Sequence, residues 1–128
     1  MDITNSSEVK FDRPDCELVG MKNEWLAAIR TWGATRPRIE AIYLFGSRAK
    51  HKHRPDSDID LALLFTPNRN DTEAGYWMCE NEAIQSELAV LLPVKPHVFP
   101  LNYARVEDDV TPAVFEHGIR IYYSTAGR

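Results

Sequence analysis

Two aspartates separated by one residue form the pair of side chains in this sequence best suited to chemistry. Asp58 and Asp60 open the apolar run IDLALLF, which is typical of a β-strand. Because successive side chains of a strand point to opposite faces, both carboxylates are expected on one surface. Like charges at this spacing require a cation or hydrogen-bond donors, and oxygen ligands suit Mg²⁺. The pair predicts a magnesium site, although the polar face of a half-exposed strand would show the same pattern.

A glycine and a serine stand upstream of the aspartates, directly after the apolar run IEAIYLF. Gly46 permits a tight turn and a close approach of the backbone to a ligand. Ser47 adds a hydroxyl group. If residues 48–51 form a short helical turn, its N–H groups and Ser47 would bind a phosphate.

The segment between this turn and the aspartates is basic, with six Arg, Lys or His residues among positions 48–54. Arg48 is the candidate for direct contact with phosphate oxygens, and Lys52 and Arg54 are expected to contribute a diffuse positive field. A solvated surface loop is the alternative, because runs of charge usually face water.

The elements that must position these residues follow from hydrophobic periodicity. Residues 21–32 predict an amphipathic helix capped by Gly33, and strands are predicted at residues 39–45, 57–65 and 94–101. The two prolines of the third strand place it at a sheet edge or make it irregular. A long helix capped by Asp71 or Thr72 and ended by Pro93 should bury one face, formed by Trp77, Ile84, Leu88 and Leu91.

A short helix and a last strand complete the pattern. Thr111 and Pro112 are expected as the N-cap and first residue of the helix, Gly118 ends it, and IRIYY is the strand. The order predicts an α+β fold, a small mixed β-sheet covered by helices. Residues 1–20 are expected to be a tail or a loosely attached segment, and residues 21–128 one domain.

Composition narrows the class of protein. The 128 residues are 44% hydrophobic, and no apolar stretch reaches the roughly 20 residues of a membrane-spanning helix. Neither an export signal nor a transit peptide is recognisable, so a cytoplasmic protein without membrane contact is expected. The net charge of −4 argues against broad binding to nucleic acid. Cys16 and Cys79 have no ligand spacing, and free thiols are expected.

The stretch GSRAKHKHRPDSDIDLALLF carries a specific resemblance. Gly46 and Ser47 are followed by ten residues and then by Asp58, Ile59 and Asp60. This arrangement resembles the minimal nucleotidyltransferases (MNT) of the DNA polymerase beta superfamily, specifically over residues 42–65. The C-terminal HGIRIYY is more loosely similar to the closing element of that domain.

The resemblance implies a nucleotide site and a reaction. Gly46 and Ser47 would hold the triphosphate of ATP or another NTP, and Asp58 and Asp60 would coordinate Mg²⁺. The implied reaction is in-line attack by an acceptor hydroxyl on the α-phosphate with loss of pyrophosphate.

One departure from the family concerns the third carboxylate, which active members usually take from the next strand. No such acid is found in VKPHVFPL, where His97 or a neighbour occupies the matching position. A neutral imidazole could accept the acceptor's proton, but it would replace an anionic metal ligand by an uncharged one. His97 could equally be an ordinary edge-strand residue, and Glu107, Asp108 or Asp109 could supply an acid instead.

Two hypotheses of different classes follow from the resemblance. Stand-alone MNT proteins resemble antitoxins that pair with helical HEPN proteins, some of which they modify on a tyrosine. The first hypothesis is an Mg²⁺-dependent nucleotidyltransferase that moves AMP from ATP to a hydroxyl on such a partner. The second is a catalytically reduced nucleotide-binding module that acts by capping a HEPN-like partner.

Overall fold

A computed structural model describes residues 20–66, 72–101 and 110–124 of the chain. These residues form three helices and four strands in the order that the sequence predicts, and the fold is α+β. The predicted N-terminal segment lies outside the described residues except for Gly20. The elements are α1 (Asn23–Ala34), β1 (Ile39–Phe45), β2 (Ile59–Phe65), α2 (Glu73–Leu91), β3 (Pro96–Pro100), α3 (Val110–His117) and β4 (Ile119–Tyr123).

The four strands form one mixed sheet in the order β3-β2-β1-β4. β1 pairs antiparallel with both β2 and β4, and β2 pairs parallel with β3. β3 therefore lies at a sheet edge, as its prolines predict. The side chain of Gln85 on α2 closes that edge by accepting a hydrogen bond from the Val98 amide at 3.3 Å and donating one to the Pro96 carbonyl.

Strand alternation gives the sheet two different faces. One face packs against α1 and α2, and its buried residues include Ile42, Leu44, Ile59, Leu61, Leu63 and Val98. The opposite face packs against α3 in a smaller cluster, which contains Phe45, Ala62, Leu101 and Val114. Because Asp60 alternates with the residues of the first face, its side chain lies on the α3 face.

Two helix boundaries differ from those predicted. Gly33 lies inside α1 instead of capping it, and the cap is Thr35. A β carbon at Gly33 would come 3.0 Å from the ring of Tyr122, so a tertiary contact explains this glycine. Thr111 lies within α3 and is not its N-cap, because the helix already includes Val110.

The long helix is confirmed in outline and corrected at its end. Thr72 is the N-cap, and its hydroxyl accepts a hydrogen bond from the Gly75 amide at 3.0 Å. Ile84 and Leu88 are fully buried, but the last buried position is Leu92, whereas Leu91 is exposed. The backbone becomes extended at Leu92 and turns that side chain inward.

Within residues 20–66, 72–101 and 110–124, no helix is both long enough and apolar enough to cross a bilayer. Cys79 is a free, exposed thiol.

Candidate functional site

Three side chains converge at the start of β2, on the sheet face shared with α3. His97 lies opposite Asp60 in the parallel pairing of β2 with β3. Its Nδ1 atom is 3.5 Å from Asp58 Oδ2 and 3.6 Å from Asp60 Oδ1. The side chains of Asp58 and His97 are 42% and 44% exposed, so a ligand in solvent can reach the cluster. The ring of Phe99 packs edge-on against the imidazole at 6.0 Å and orients it.

The strand geometry brings the two carboxylates together even though only one of them lies within β2. The strand begins at Ile59, so Asp58 is the residue before it, and not within it as predicted. Extended backbone continues the alternation, and both aspartates still face His97. The structure thus brings together the two predicted metal ligands and His97, the residue considered for the position of the third acid.

Asp60 is the more buried carboxylate of the pair, with 24% of its side chain exposed. Burial raises the pKa of Asp60 above its ordinary value, His97 partly opposes this, and the charge of Asp58 raises it further. Desolvation and repulsion both penalise the charged form. The Asp60 carboxylate is therefore costly to the fold and available to a cation.

Replacing Asp60 by asparagine should raise the stability of the free protein at neutral pH by a few degrees in Tm. The folded state binds the Asp60 proton more tightly than the unfolded chain does. The penalty therefore grows as the pH rises from about 4, the ordinary carboxyl range, through the raised pKa. Thermal melts of both proteins without metal from acidic to neutral pH test this. A variant that is less stable at neutral pH would show that Asp60 is not destabilised by burial.

The turn after β1 brings the backbone close to the Asp60 carboxylate. Gly46 has a φ of +79°, and a β carbon on it would overlap Asp60 Oδ2. Only glycine satisfies both demands at this position. The predicted turn follows, with hydrogen bonds from the Lys50 amide to the Gly46 carbonyl (3.1 Å) and from the Lys52 amide to the Ser47 carbonyl (2.9 Å). Ser47 is half-buried beside the cluster.

A further residue reaches this turn from the far end of the sequence. The Gly46 amide donates a hydrogen bond to Nε2 of His117 at 3.0 Å. His117 was not among the residues that the sequence predicted for the site. The one available signal was its position just before the predicted strand IRIYY. That position becomes informative only once this strand, β4, is known to pair with β1.

Arg48 does not occupy the position predicted for it. Its side chain is 3% exposed, and its guanidinium donates hydrogen bonds to backbone carbonyls. Burial lowers the pKa of Arg48, an effect that Asp56 opposes. The expectation that Arg48 contacts phosphate is corrected, because the N–H groups of its guanidinium donate to backbone carbonyls and stabilise the basic loop. The acceptors, at 2.8–3.4 Å, are the carbonyls of Gly20, Arg54, Pro55 and Ser57.

Replacing Arg48 by alanine should therefore act on stability. The change leaves the buried Gly20 carbonyl and the part-buried loop carbonyls without these donors, and we expect a loss of about 2–4 kcal/mol in the free energy of unfolding. Lys52→Ala is the matched control, since Lys52 is exposed and belongs to the same loop. Denaturant unfolding of both variants tests the assignment. Equal stabilities would contradict it, and a folded Arg48→Ala protein with weakened ATP binding alone would restore the phosphate role.

The carboxylates of the cluster suit Mg²⁺ better than a metal ion that protein ligands surround completely. Within the described part of the chain, no group of three or more His, Cys, Asp or Glu has the arrangement of a metal site. Two carboxylates with open space beside them match Mg²⁺, which is usually held by one or two carboxylates together with substrate phosphates. Asp58 and Asp60 are the residues that would hold it. Glu107, Asp108 and Asp109 lie outside the described residues.

Three solved structures share the fold. A toxin–antitoxin complex with AMP-PNP aligns with a TM-score of 0.57 and 22% identity, over 78% of this chain and 74% of that chain. A mutant MntA–HpeT toxin–antitoxin complex aligns with a TM-score of 0.55 and 20% identity, over 79% and 74%. The tri-AMPylated HEPN toxin of Shewanella oneidensis in complex with its MNT antitoxin gives 0.50 and 22%, over 79% and 71%. At this identity the likeness shows the fold.

Family membership rests on the sequence. No curated protein matches the chain. Residues 28–124 match the family described as polymerase beta nucleotidyltransferase. The match spans well over half of the chain and includes the Gly46 turn, both aspartates, His97 and His117. The chain therefore belongs to the polymerase beta nucleotidyltransferase family, and its fold is that of MNT antitoxins in toxin–antitoxin complexes.

Proposed function

We propose that this protein transfers AMP from ATP to a hydroxyl group on a HEPN-type partner protein, and so acts as an MNT antitoxin. The family supports a nucleotidyltransferase. The solved relatives include one complex with AMP-PNP and one that holds a tri-AMPylated HEPN toxin. The acceptor is expected on another polypeptide, since the described residues form one small sheet with its helices.

The observation that carries this proposal is the convergence of Asp58, Asp60 and His97 beside the Gly46 turn. The two carboxylates face the same solvent-accessible point as the imidazole, at 3.5 and 3.6 Å from its Nδ1 atom. Mg²⁺ bound to the carboxylates would neutralise charge on the entering and leaving oxygens. Holding the two carboxylates together costs stability, because burial and the charge of Asp58 both disfavour ionised Asp60. Within the described residues, binding of a triphosphate with Mg²⁺ is the one role that accounts for this cost.

The residues of the chain then have distinct roles in the transfer. Ser47 offers its hydroxyl to the phosphates, and Asp58 and Asp60 are the residues that would hold Mg²⁺, which would supply positive charge at the α-phosphate. The acceptor oxygen forms a bond to the α-phosphorus while the bond from that phosphorus to the bridging oxygen breaks, and pyrophosphate leaves. His97 takes the proton of the acceptor hydroxyl. An imidazole suits this step because it changes charge near neutral pH.

The lack of a carboxylate at position 97 favours a second candidate function. An imidazole brings no negative charge to the acceptor side of the site, where a carboxylate would bring one. In this second proposal the protein binds ATP at the same residues and inhibits the partner by covering it. Both proposals need the nucleotide site, and only the first requires a covalent product.

Transfer of label separates the two functions. The protein is incubated with Mg²⁺, the protein encoded beside it, and ATP labelled at either the α- or the γ-phosphate. AMP transfer places α-label but no γ-label on the partner, and a mass increase of one AMP group per site confirms it. Formation of a stable complex with neither label on the partner would support capping and exclude transfer. Omitting Mg²⁺ serves as the control.

A further inference from the structure

We propose that His117 is a positioning residue of the nucleotide site: it accepts a hydrogen bond from the Gly46 amide and thereby holds the Gly46 turn against Asp60. The contact joins residues 71 positions apart, with a donor–acceptor distance of 3.0 Å. The inference rests on the proposed nucleotide site and adds a residue to it. Neither the transfer function nor the capping function, as proposed, assigns a role to His117.

The contact fixes the protonation of the imidazole. An amide can donate only to a nitrogen with a free lone pair, so Nε2 carries no proton and the proton of the neutral ring resides on Nδ1. Lysine and arginine have no acceptor and could not replace His117 here. A glutamine has an amide oxygen of similar reach and could replace it in part.

His117 is well supported for such a role. The Gly118 amide closes α3 on the Val114 carbonyl at 2.8 Å, and β4 begins at Ile119. Ile119 pairs with Leu44 in β1, and this pairing brings the end of α3, where His117 lies, to the Gly46 turn. The imidazole accepts from the Gly46 amide just beyond the point where the β1–β4 pairing ends.

The held turn is the one that limits the position of Asp60. A β carbon on Gly46 would overlap Asp60 Oδ2, so the backbone of the turn lies directly against that carboxylate. His117 therefore acts on the metal ligand through the turn. Since the Gly46 amide is already used, donors for phosphate begin at Ser47.

A competing assignment predicts the opposite sign. If phosphate needed the Gly46 amide, His117 would be a competitor, and its removal would strengthen binding. Positioning predicts weaker binding, because the turn and Asp60 lose their alignment. The sign of the change in ATP affinity therefore decides between the two.

The test uses His117→Phe, which keeps a ring without an acceptor, and His117→Gln, which keeps an acceptor. Glu116→Ala, at the exposed neighbouring position, is the control. Calorimetry measures the Kd for ATP in Mg²⁺, NMR measures the solvent exchange of the Gly46 amide, and a thermal melt confirms folding. For His117→Phe we expect Gly46 exchange at least about 10-fold faster and a Kd about 2- to 10-fold weaker. His117→Gln should restore part of both, and Glu116→Ala should match the unmodified protein.

Several outcomes would overturn the inference. An unchanged or tighter Kd in His117→Phe would do so, as would unchanged exchange of the Gly46 amide. If His117→Phe fails to fold, His117→Gln carries the comparison. The ATP affinity of His117→Gln should be weaker than that of the unmodified protein without being lost. A Kd tighter than that of the unmodified protein counts against positioning. Absence of any Mg²⁺-dependent ATP binding in the unmodified protein would refute the proposed function, while the exchange rates would still decide whether His117 holds the turn.

Discussion

Replacing Asp58 and Asp60 together by asparagine should weaken Mg²⁺-dependent ATP binding by about 100-fold or more. The change removes two formal charges from the point where a divalent cation would bind, while keeping the size of both side chains. Both carboxylates lie beside the same imidazole nitrogen, at 3.5 and 3.6 Å, so the double variant removes both charges from one point. Calorimetric titration with ATP at fixed Mg²⁺ measures the effect.

The control for this experiment lies two residues away. Asp56 is exposed on the same loop, and Asp56→Asn changes the net charge of the region without touching the cluster. We expect it to leave the Kd within about 2-fold, since exposed charges are screened at physiological salt. An unchanged Kd in the double variant would show that the aspartates are only the polar face of a strand. Titrations without Mg²⁺ show how much binding comes from the turn alone.

Replacing His97 by alanine should lower the rate of AMP transfer by about 10²- to 10⁴-fold, the usual contribution of a positioned general base. ATP binding should be nearly intact, because Asp58, Asp60 and the Gly46 turn remain in place. The side chain of His97 is 44% exposed and packs on Phe99, so the variant should fold. Single-turnover transfer to the partner and calorimetry on the same samples separate the two effects.

His97→Asp is the informative companion, because it restores the carboxylate that active family members usually have there. If His97 is the base, the aspartate should recover part of the transfer rate lost in the alanine variant. If the protein is a capping module, only His97→Asp should show any transfer. Full transfer by His97→Ala would contradict the assignment. Glu107, Asp108 and Asp109 would then be the candidates for the base.

The sequence by itself determined the parts of the protein that depend on local pattern. The order of helices and strands follows from periodicity, and the prolines in β3 correctly placed it at the sheet edge. The Asp58/Asp60 spacing put both carboxylates on one face, because alternation along extended backbone is a local property. Alignment of the apolar residues of β3 suggested His97 or a neighbour for the position of the third acid, and the strand register sets His97 opposite Asp60.

Only the tertiary structure decided the roles of Arg48, His117 and Gly33. Arg48 was predicted to contact phosphate from the basic loop, yet its guanidinium is buried, because the carbonyls of the loop and that of Gly20 surround it. His117 reaches Gly46 across 71 residues through the pairing of β1 with β4. Gly33 is required by the ring of Tyr122, not by a helix end. The contacts of Arg48 with Gly20, of Gly46 with His117 and of Gly33 with Tyr122 join segments distant in the chain. A local pattern of residue types holds no information about which segments will meet.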